Sequence, residues 1–462
     1  MDHSYLSIID EKADLLRETA DYLWDNPETA FAEYKSAALL TKILREEGFE
    51  VEENLAGIAT AFSGTYGSGK PVIGILGEFD ALSGLSQESG CTERKPLAHD
   101  AGQGCGHNLF AAGALGAAIA VKKWLQETGN PGTVVFFGTP GEEGGSGKGF
   151  MARDGVFDGL DAAITWHPGD KNKVWTAMSL SNYQILYKFD GIASHAGGKP
   201  ELGRSALDAV ELMNTGVQYL REHIPSSCRI HYAITDTGGF SPNVVQAHAE
   251  VLYLIRAVNN QTVKEIYERV NDIARGAALM TGTKESHEFI KACSNLVQNL
   301  TIRKLLHEKM EEIGPPVPDE EDYRMARLFS ETALAEFPGA DPEDPIAWKL
   351  EPYTDEETPD FSSTDVGDIS WVCPTAQIFT ATKARGTPGH SWQQVAQGKL
   401  PLAHKMTAYA AKAMAAATVE LMCDAELLQK AKDEHAVCVG PNGYEAPIPQ
   451  GVKPRSMDSF RK

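Results

Sequence analysis

The chain is poor in cysteine, with seven in 462 residues, and none of them forms a CxxC pair. An odd number at irregular spacing does not suit the disulfide framework of a small secreted domain. The opening segment, MDHSYLSIIDEKADLL, lacks both the basic start and the apolar run of a signal peptide. Together these absences predict a protein of the reducing cytoplasm.

Positive charge is also scarce. Lysine and arginine total 42 against 64 aspartates and glutamates, so the formal net charge is −22. A chain this acidic is repelled by nucleic acid and by anionic membrane surfaces. The longest apolar run, LFAAGALGAAIAV at 109–121, is too short to span a bilayer and is typical of a packed core helix. We therefore predict a small-molecule ligand, with neither nucleic acid nor membrane as a partner.

Three apolar runs predict buried strands: VIGIL (72–76), VVFFG (134–138) and AAITW (162–166). Continuous hydrophobicity is typical of a parallel sheet that is covered on both faces. A helical segment at 109–127 lies between the first two runs, and this alternation indicates an α/β sheet. A further strand is predicted over 370–382, followed by a long alanine-rich helix over 400–422.

From about residue 181 the order of predicted elements becomes β-α-β-β-α-β, as in a ferredoxin-like unit. Its length suits a separate small domain inserted into the larger one. The predicted fold class is thus α/β. A larger domain with a mostly parallel sheet is expected over 1–181 and 297–462, and an inserted ferredoxin-like α+β lid domain over 182–296.

Polar residues able to bind a metal or a proton follow several of the predicted strands, each after a short loop. They are Asp80, the pair Glu142 and Glu143, His167 and His390, and the loop GQGCGHN adds Cys105 and His107. If the strands are parallel neighbours, all these groups lie along one edge of the sheet, where open α/β sheets bind their ligands. A thiolate, imidazoles and carboxylates together are the ligands that zinc or a similar divalent metal requires.

The two adjacent glutamates point in different directions, so each can have its own role. One carboxylate could bind a metal while the other moves a proton. Each candidate also has an ordinary structural explanation, since single cysteines and histidines are usually packing residues and acidic pairs are usually solvated. Their common position at strand ends favours a metal site.

Three other interpretations compete with a metal site. The segment GGSGKG (144–149) fails the P-loop pattern, because Glu142 stands where the first glycine belongs and Gly149 where Ser or Thr belongs. Cys105 could be a nucleophile with His107 as its base, but the acids at the other strand ends would then have no role. A non-catalytic binding or regulatory subunit is a third alternative. His99, beside Asp100, is either a further ligand or a locally bonded loop residue.

Six motifs resemble the M20 metallopeptidases, in order and over nearly the whole chain. They are CGHN (105–108), GTPGEEGG (138–145), WHPG (166–169), ASHAG (193–197), GGFSPNVV (238–245) and PGHS (388–391). The segments GFSPNVVQAHAE and SSTDVGDISWVCPT resemble in particular the amidohydrolase branch that includes p-aminobenzoyl-glutamate hydrolases. The resemblance implies two divalent ions, which could be zinc, manganese or cobalt.

The resemblance also implies a role for each matching residue. The metal ligands would be Cys105, His107, Glu143, His167 and His390. Glu142 matches the general base, and Asp80 matches an acid that orients a ligand imidazole. His195 and Asn243, in the inserted domain, match residues that contact the substrate.

Further expectations concern specificity and assembly. Arg256 and Arg204 are candidates for binding a glutamate carboxylate. Relatives often have His at the position of Gln103 and Asp at that of Asn108, which leaves metal preference and substrate range open. In the family the lid domain mediates dimerisation, and the His often comes from the other protomer. We expect a homodimer, with a heteromer as the alternative.

The resemblance implies hydrolysis of the amide bond of an N-acyl or N-aroyl amino acid, with p-aminobenzoyl-glutamate as the first substrate to test. Glu142 would take a proton from the attacking water and pass it to the departing amine, while His195 polarises the carbonyl. The alternatives are a dipeptidase and one component of a hetero-oligomeric hydrolase that is active only with its partner.

Overall fold

The computed structural model describes residues 3–334, 339–456 and 459. The expected domain limits 1 and 462 lie outside these described residues. The strands are β1 Glu50–Glu53, β2 Phe62–Ser68, β3 Val72–Gly77, β4 Gly132–Gly138, β5 Ala162–Gly169, β6 Lys171–Val174, β7 Ser181–Asp190, β8 Arg229–Asp236, β9 His248–Ala257, β10 Lys284–Cys293, β11 Ala347–Leu350 and β12 Thr375–Ala381.

The helices alternate with these strands. They are α1 Ser7–Glu11, α2 Ala13–Asp25, α3 Tyr34–Glu46, α4 His107–Thr128, α5 Glu142–Gly145, α6 Gly147–Arg153, α7 Ala206–Leu220, α8 Asn260–Thr281, α9 Leu300–Ile313, α10 Glu320–Ala333, α11 Val366–Val372, α12 Trp392–Gln397, α13 Pro401–Cys423 and α14 Ala425–Val439.

The larger sheet has eight strands in the order β1-β2-β4-β3-β5-β12-β6-β11. Its centre, β4-β3-β5-β12, is parallel throughout, whereas β1, β2 and the β12–β6 pair are antiparallel. The central strands are buried on both faces, as their continuous apolar runs predict. The carboxyl ends of four neighbouring strands therefore meet at one edge.

Helices α4 and α13 cover one face of this sheet, and α6 and α11 lie on the other. Helix α4 is apolar on every side and fully buried over most of its length. Gly113 lets the helix approach the sheet closely, since a Cβ there would lie 2.7 Å from the ring of Trp166. The Trp166 indole donates to the Phe110 carbonyl at 2.9 Å, which fixes the helix against β5. This packing sets the position of the helix start, at His107.

The smaller sheet has the order β10-β7-β9-β8 and is antiparallel throughout. This is the order of a ferredoxin-like unit, with α7 and α8 packed on one face. Alternation along β9 buries Val251, Tyr253 and Ile255 beneath these helices, so Arg256 points to the opposite face. The predicted fold class, α/β with an inserted α+β unit, is confirmed.

The strand predicted over 370–382 is partly wrong, because residues 370–372 belong to helix α11 and the strand begins only at Thr375. Val366 and Ile369 have helical spacing and are both buried in the core. The Ser370 hydroxyl donates to the Gly367 carbonyl. Pro374 separates helix from strand, and the apolar run spans both.

No helix within the described residues combines the length and the hydrophobicity that crossing a bilayer requires.

Candidate active site

Polar side chains converge at the carboxyl edge of the parallel strands. Glu78 and Asp80 follow β3, Glu142 and Glu143 follow β4, and His167 lies near the end of β5. The left-handed conformation of Gly106 turns the preceding loop into α4 and so brings Cys105 and His107 to the same edge. His390 is on the loop after β12. The sheet topology thus assembles residues that are up to about 300 positions apart in sequence.

Cys105 lies between two sets of potential ligands. One ligand atom from each of Cys105, His107 and His167 lies within 4.8 Å of the others, and the same holds for Cys105, Glu143 and His390. The Cys105 sulfur is 3.4 Å from Nε2 of His167. Two sets that share one sulfur offer two adjacent positions for cations.

Hydrogen bonds fix the orientation of both buried imidazoles. Nδ1 of His107 lies 3.0 Å from Oδ1 of Asp80, and Nδ1 of His167 lies 2.9 Å from the Pro168 carbonyl. Each Nδ1 therefore donates its proton, which leaves Nε2 directed toward Cys105 as the potential ligand atom. Oδ2 of Asp80 accepts from the backbone N–H of Glu143 at 2.9 Å, so the same carboxylate also positions the glutamate loop.

Charges around Cys105 perturb its neighbours. Burial opposes ionisation of the thiol, but His167 and His107 lower its pKa well below the usual range. The neighbouring side chains of Cys105 and Glu143 raise the pKa of His390 to about 10. Burial, with the nearby thiolate of Cys105, raises the pKa of Glu143 to about 7. The thiol of Cys105, the carboxyl group of Glu143 and the imidazole of His390 thus perturb one another's pKa values across this site.

Glu142 lies beside Glu78 and His107, with one ligand atom of each within 4.8 Å of the others. Burial raises its pKa well above the usual range, and the charges of Glu78, Glu143 and Asp365 act in the same direction. A carboxyl group in such surroundings is suited to accept a proton and later release it.

Glu78, Lys148 and Asp365 form a buried ion triad that the sequence analysis missed. Nζ of Lys148 lies 2.7 Å from Glu78 and 2.6 Å from Asp365, and all three side chains are at most 2% exposed. Glu78 stands two positions before Asp80 in the same loop after β3, and this spacing could have marked Glu78 as a second acid of the site. Lys148 belongs to the segment that fails the phosphate-loop pattern, and Asp365 lies in the segment SSTDVGDISWVCPT, whose resemblance to the amidohydrolase branch was not assigned to any single residue.

Glu33 is a second buried acid that the sequence analysis missed. Its Oε1 accepts from the backbone N–H groups of Phe31 and Gly141, at 2.8 and 2.9 Å, and its Oε2 accepts from the Thr60 hydroxyl. Burial, with the nearby charge of Asp80, raises its pKa to about 8. Glu33 thereby anchors the loop that carries the glutamate pair.

A cavity of about 660 Å³ lies over these residues and is closed partly by the smaller sheet. Its walls include Cys105, Glu142, Glu143, His167 and His390 from the large sheet, and Arg229, His231 and Arg256 from β8 and β9. Arg256 is therefore where a substrate-binding residue is expected, whereas Arg204 is exposed and does not line the cavity. The sequence analysis did not predict Arg229 and His231.

His195 and Asn243 do not line this cavity. They lie together on exposed loops of the smaller sheet, where the Ala196 N–H donates to the Asn243 carbonyl at 2.9 Å. Nδ1 of His195 accepts from the backbone N–H groups of Gly197 and Gly198. When neutral, the ring therefore carries its proton on the exposed Nε2.

The three residues of uncertain role have structural contacts. Gln103 accepts from the Asn108 N–H and donates to the Leu23 carbonyl, while the Asn108 amide donates to Ala20 and Gly398. His99 bonds locally to the Ala101 carbonyl at 2.8 Å. These contacts hold the loop before α4.

The donor set fits divalent metals. Nε2 of His107 and Oε1 of Glu143 are buried and have no hydrogen-bond partner among the described residues. They lie 3.1 Å from Glu78 and 3.2 Å from His390 respectively, but the alignment is not that of a hydrogen bond. Buried polar atoms with no hydrogen bond are rare, and a bound cation would satisfy both.

Comparison with known proteins agrees with this arrangement. Residues 74–435 match the model of peptidase family M20/M25/M40. The chain belongs to this family.

Relatives within the family cover almost the whole chain. The chain is 46% identical to one of the subunits of p-aminobenzoyl-glutamate hydrolase of Escherichia coli (strain K12), over 96% of this chain and 97% of that protein. It is 26% identical to the Xaa-Arg dipeptidase of Mus musculus, over 92% of this chain and 90% of that protein. The crystal structure of the aminobenzoyl-glutamate utilization protein from Klebsiella pneumoniae has the same fold, with a TM-score of 0.58 at 16% identity, covering 87% of this chain and 97% of that one. The predicted M20-family, metal-dependent amidohydrolase is confirmed.

Proposed function

We propose that this protein hydrolyses the amide bond of N-acyl or N-aroyl amino acids with two divalent ions, and that p-aminobenzoyl-glutamate is its first substrate to test. The observation that carries the proposal is the position of Glu142 beside two ligand sets that share Cys105. The 46% identity to a component of a p-aminobenzoyl-glutamate hydrolase supports the choice of substrate.

The proposed metal ligands are Cys105, His107, Glu143, His167 and His390. When bound, the ions would lower the pKa of a water molecule and polarise the amide carbonyl. Thiolate, imidazole and carboxylate ligands suit zinc, cobalt or manganese. Asp80 would orient two of these ligands. It accepts a hydrogen bond from Nδ1 of His107 and another from the backbone N–H of Glu143.

Glu142 is the proposed general base and acid. It takes a proton from the attacking water and then delivers the same proton to the nitrogen of the departing amine. One carboxylate can perform both steps, because the base becomes an acid once it is protonated. Glu142 is half-buried, and burial together with the neighbouring acids raises its pKa, which suits a carboxyl group that holds the proton before it donates it.

The inserted segment, 182–296, is proposed to act as a lid and dimerisation domain. His195 and Asn243 lie outside the cavity of their own chain, as expected if they serve the site of another protomer. The exposed Nε2 of His195 would donate to the carbonyl oxygen as negative charge develops there. Exposed apolar residues near these loops, Ile192, Leu202 and the 98% exposed Phe240, support an interface at this end.

The partner is proposed to be a second copy of this chain. A heteromer is the alternative, because two E. coli relatives are named as different subunits of p-aminobenzoyl-glutamate hydrolase. A dipeptidase is the alternative activity, supported by the Xaa-Arg dipeptidase relative.

The deciding experiment combines metal analysis with turnover. Purified protein is loaded separately with zinc, manganese and cobalt and assayed on p-aminobenzoyl-glutamate, other N-acyl amino acids and dipeptides. Glu142→Gln should keep the metal content and lower kcat by about 10²- to 10⁴-fold. Glu46→Gln, a change at an exposed position on α3, is the matched control and should have no effect.

Each contrary result has a distinct meaning. Normal turnover in Glu142→Gln rejects the assigned base. Preference for dipeptides favours the dipeptidase. If the metal-loaded chain is inactive on every substrate, activity that appears only with a second, different chain favours the heteromer.

A further inference from the structure

A second cavity, of about 590 Å³, lies where the inserted α+β unit meets helix α11 and the C-terminal segment 439–449. It shares no described residue with the cavity over the candidate metal ligands. Four aromatic side chains line it: Tyr183 from β7, Tyr267 from α8, Phe289 from β10 and Trp371 from α11. Concave, aromatic-lined sites between two parts of a protein commonly bind small molecules. The amide hydrolysis proposed above makes no use of this cavity.

Three of the aromatic rings meet at steep angles, like the walls of a corner. The ring centres of Tyr183 and Phe289 lie 5.2 Å apart, and the ring planes make an angle of 68°. Tyr267 completes the corner, 5.7 Å from Tyr183 at 63° and 5.9 Å from Phe289 at 86°. The face of an aromatic ring attracts a cation, and several rings around one point form the cages that bind alkylated ammonium groups. The geometry of this corner suits such a cation.

The charges of the cavity wall also favour a positive ligand. Among the described residues its charged side chains are Lys264, Glu268 and Glu445, a formal excess of one negative charge. Lys264 lies 3.7 Å from Glu445, and Glu268 has no ion pair among the described residues. Burial raises the pKa of Tyr183 to about 12, and the nearby charges of Glu445 and Asp368 act in the same direction. The electrostatic field at this wall is therefore negative, so it repels an anion and attracts a cation.

The hydroxyl of Tyr183 is unusual among the buried tyrosines of the smaller sheet. The Tyr187 hydroxyl donates to Asn271 at 2.6 Å. The Tyr253 hydroxyl donates to Asn214 at 2.5 Å. Tyr183 is 6% exposed, yet its hydroxyl has no hydrogen-bond partner among the described residues. Buried tyrosines usually bond through this group. Because Tyr183 lines the cavity, a polar group of a bound ligand would provide the partner.

We infer that this cavity binds a small alkylammonium cation, with its charged group against the aromatic corner and a hydroxyl group on Tyr183. A metal ion would need several carboxylate, imidazole or thiolate ligands close together, and the described residues of this wall include two acids. The ligand would contact α8 and β10 of the inserted unit as well as α11, and so would link the two parts of the protein. The site is separate from the proposed hydrolysis, so either assignment can fail without the other.

Calorimetry on the purified, metal-loaded full chain compares choline with its neutral isostere, in which carbon replaces the quaternary nitrogen. Choline should bind at least about tenfold more tightly, as expected for cation–π contact with more than one ring. Tyr267→Leu should weaken choline binding by about 2- to 30-fold. Glu268→Gln should weaken it by about 2- to 5-fold, because this acid is exposed.

A further variant tests the hydroxyl group. Tyr183→Phe keeps the ring and loses the hydrogen bond, so it should weaken choline binding by about 2- to 10-fold. Tetramethylammonium has the same charged group and no hydroxyl, so its affinity should be the same in Tyr183→Phe and wild type. Equal losses for both cations would contradict the hydrogen bond to Tyr183.

Tyr219→Leu and Glu211→Gln, at exposed positions on α7, are the matched controls and should bind choline as wild type does. Circular dichroism melting of each variant excludes unfolding as the cause. The inference is overturned if choline binds no more tightly than its neutral isostere. It is also overturned if Tyr267→Leu and Glu268→Gln both keep the wild-type affinity. Turnover of amide substrates by the same preparations tests the proposed hydrolysis separately.

Discussion

Nδ1 of His107 donates a hydrogen bond to Oδ1 of Asp80 at 3.0 Å. The second oxygen of Asp80 accepts from the Glu143 backbone at 2.9 Å. One buried carboxylate therefore sets both the tautomer of an imidazole and the position of the glutamate loop. The loop after β3, the segment after β4 and the start of α4 are therefore coupled through Asp80.

Asp80→Asn should weaken metal binding by about 10- to 100-fold. The amide can still accept from His107, but its NH₂ group would face the Glu143 N–H, so a donor would meet a donor. Competition with a chromogenic chelator measures the affinity. Asp14→Asn, at an exposed position on α2, should leave it unchanged. Equal metal affinity in Asp80→Asn and wild type would contradict the role of Asp80.

Lys148→Met should destabilise the fold by about 3–5 kcal/mol, because it leaves Glu78 and Asp365 buried without their counter-charge. Urea denaturation of the metal-free protein measures the loss in the free energy of unfolding. The matched control is Lys412→Met, which removes a more exposed ion pair with Asp10 and should change stability by less than about 1 kcal/mol. A similar small change in Lys148→Met would show that the triad is not needed for stability.

The strand-end groups could be predicted because they depend on two local signals, an apolar run and the polar residue that follows it. Parallel strands bring such ends together whatever the connecting segments are. The motif matches then added roles to Cys105, Glu142 and His390. The strand at 370–372 was predicted wrongly because an apolar run of that length does not distinguish strand from helix.

The remaining site residues could not be found in this way. Lys148 is buried with its charge paired because Glu78, just after β3, and Asp365, just before α11, approach it in space. An isolated lysine in a glycine-rich segment carries no sign of such partners. Arg229 and Arg256 become neighbours only through the register of β8 and β9, which the sequence does not specify.

Glu33→Gln should change how stability depends on pH in the metal-free protein. The ordinary pKa near 4.5 applies to the unfolded chain, and the folded value is about 8. Stabilisation by the protonated carboxyl is complete below the unfolded pKa and is lost as the pH rises through about 8. Glutamine cannot ionise, so the variant should gain stability relative to wild type across this window.

The difference between Glu33→Gln and wild type should grow by up to about 1.4 kcal/mol per pH unit. Urea denaturation between pH 5 and 9, with chelator present, measures it. The Gln side chain keeps a carbonyl oxygen for the Phe31 and Gly141 N–H groups, so the loop contact is retained. A difference that does not vary with pH would contradict the raised pKa.

Alkylation of Cys105 should distinguish a metal ligand from a nucleophile. Its lowered pKa makes the thiolate reactive toward iodoacetamide in the metal-free protein. Bound metal should protect it by at least about tenfold in rate, because coordination occupies the sulfur lone pair. Peptide mapping by mass spectrometry follows each cysteine separately, and the exposed Cys423 and Cys438 should react equally with and without metal. A nucleophilic Cys105 would instead react at the same rate in the metal-loaded enzyme and lose activity in step with alkylation.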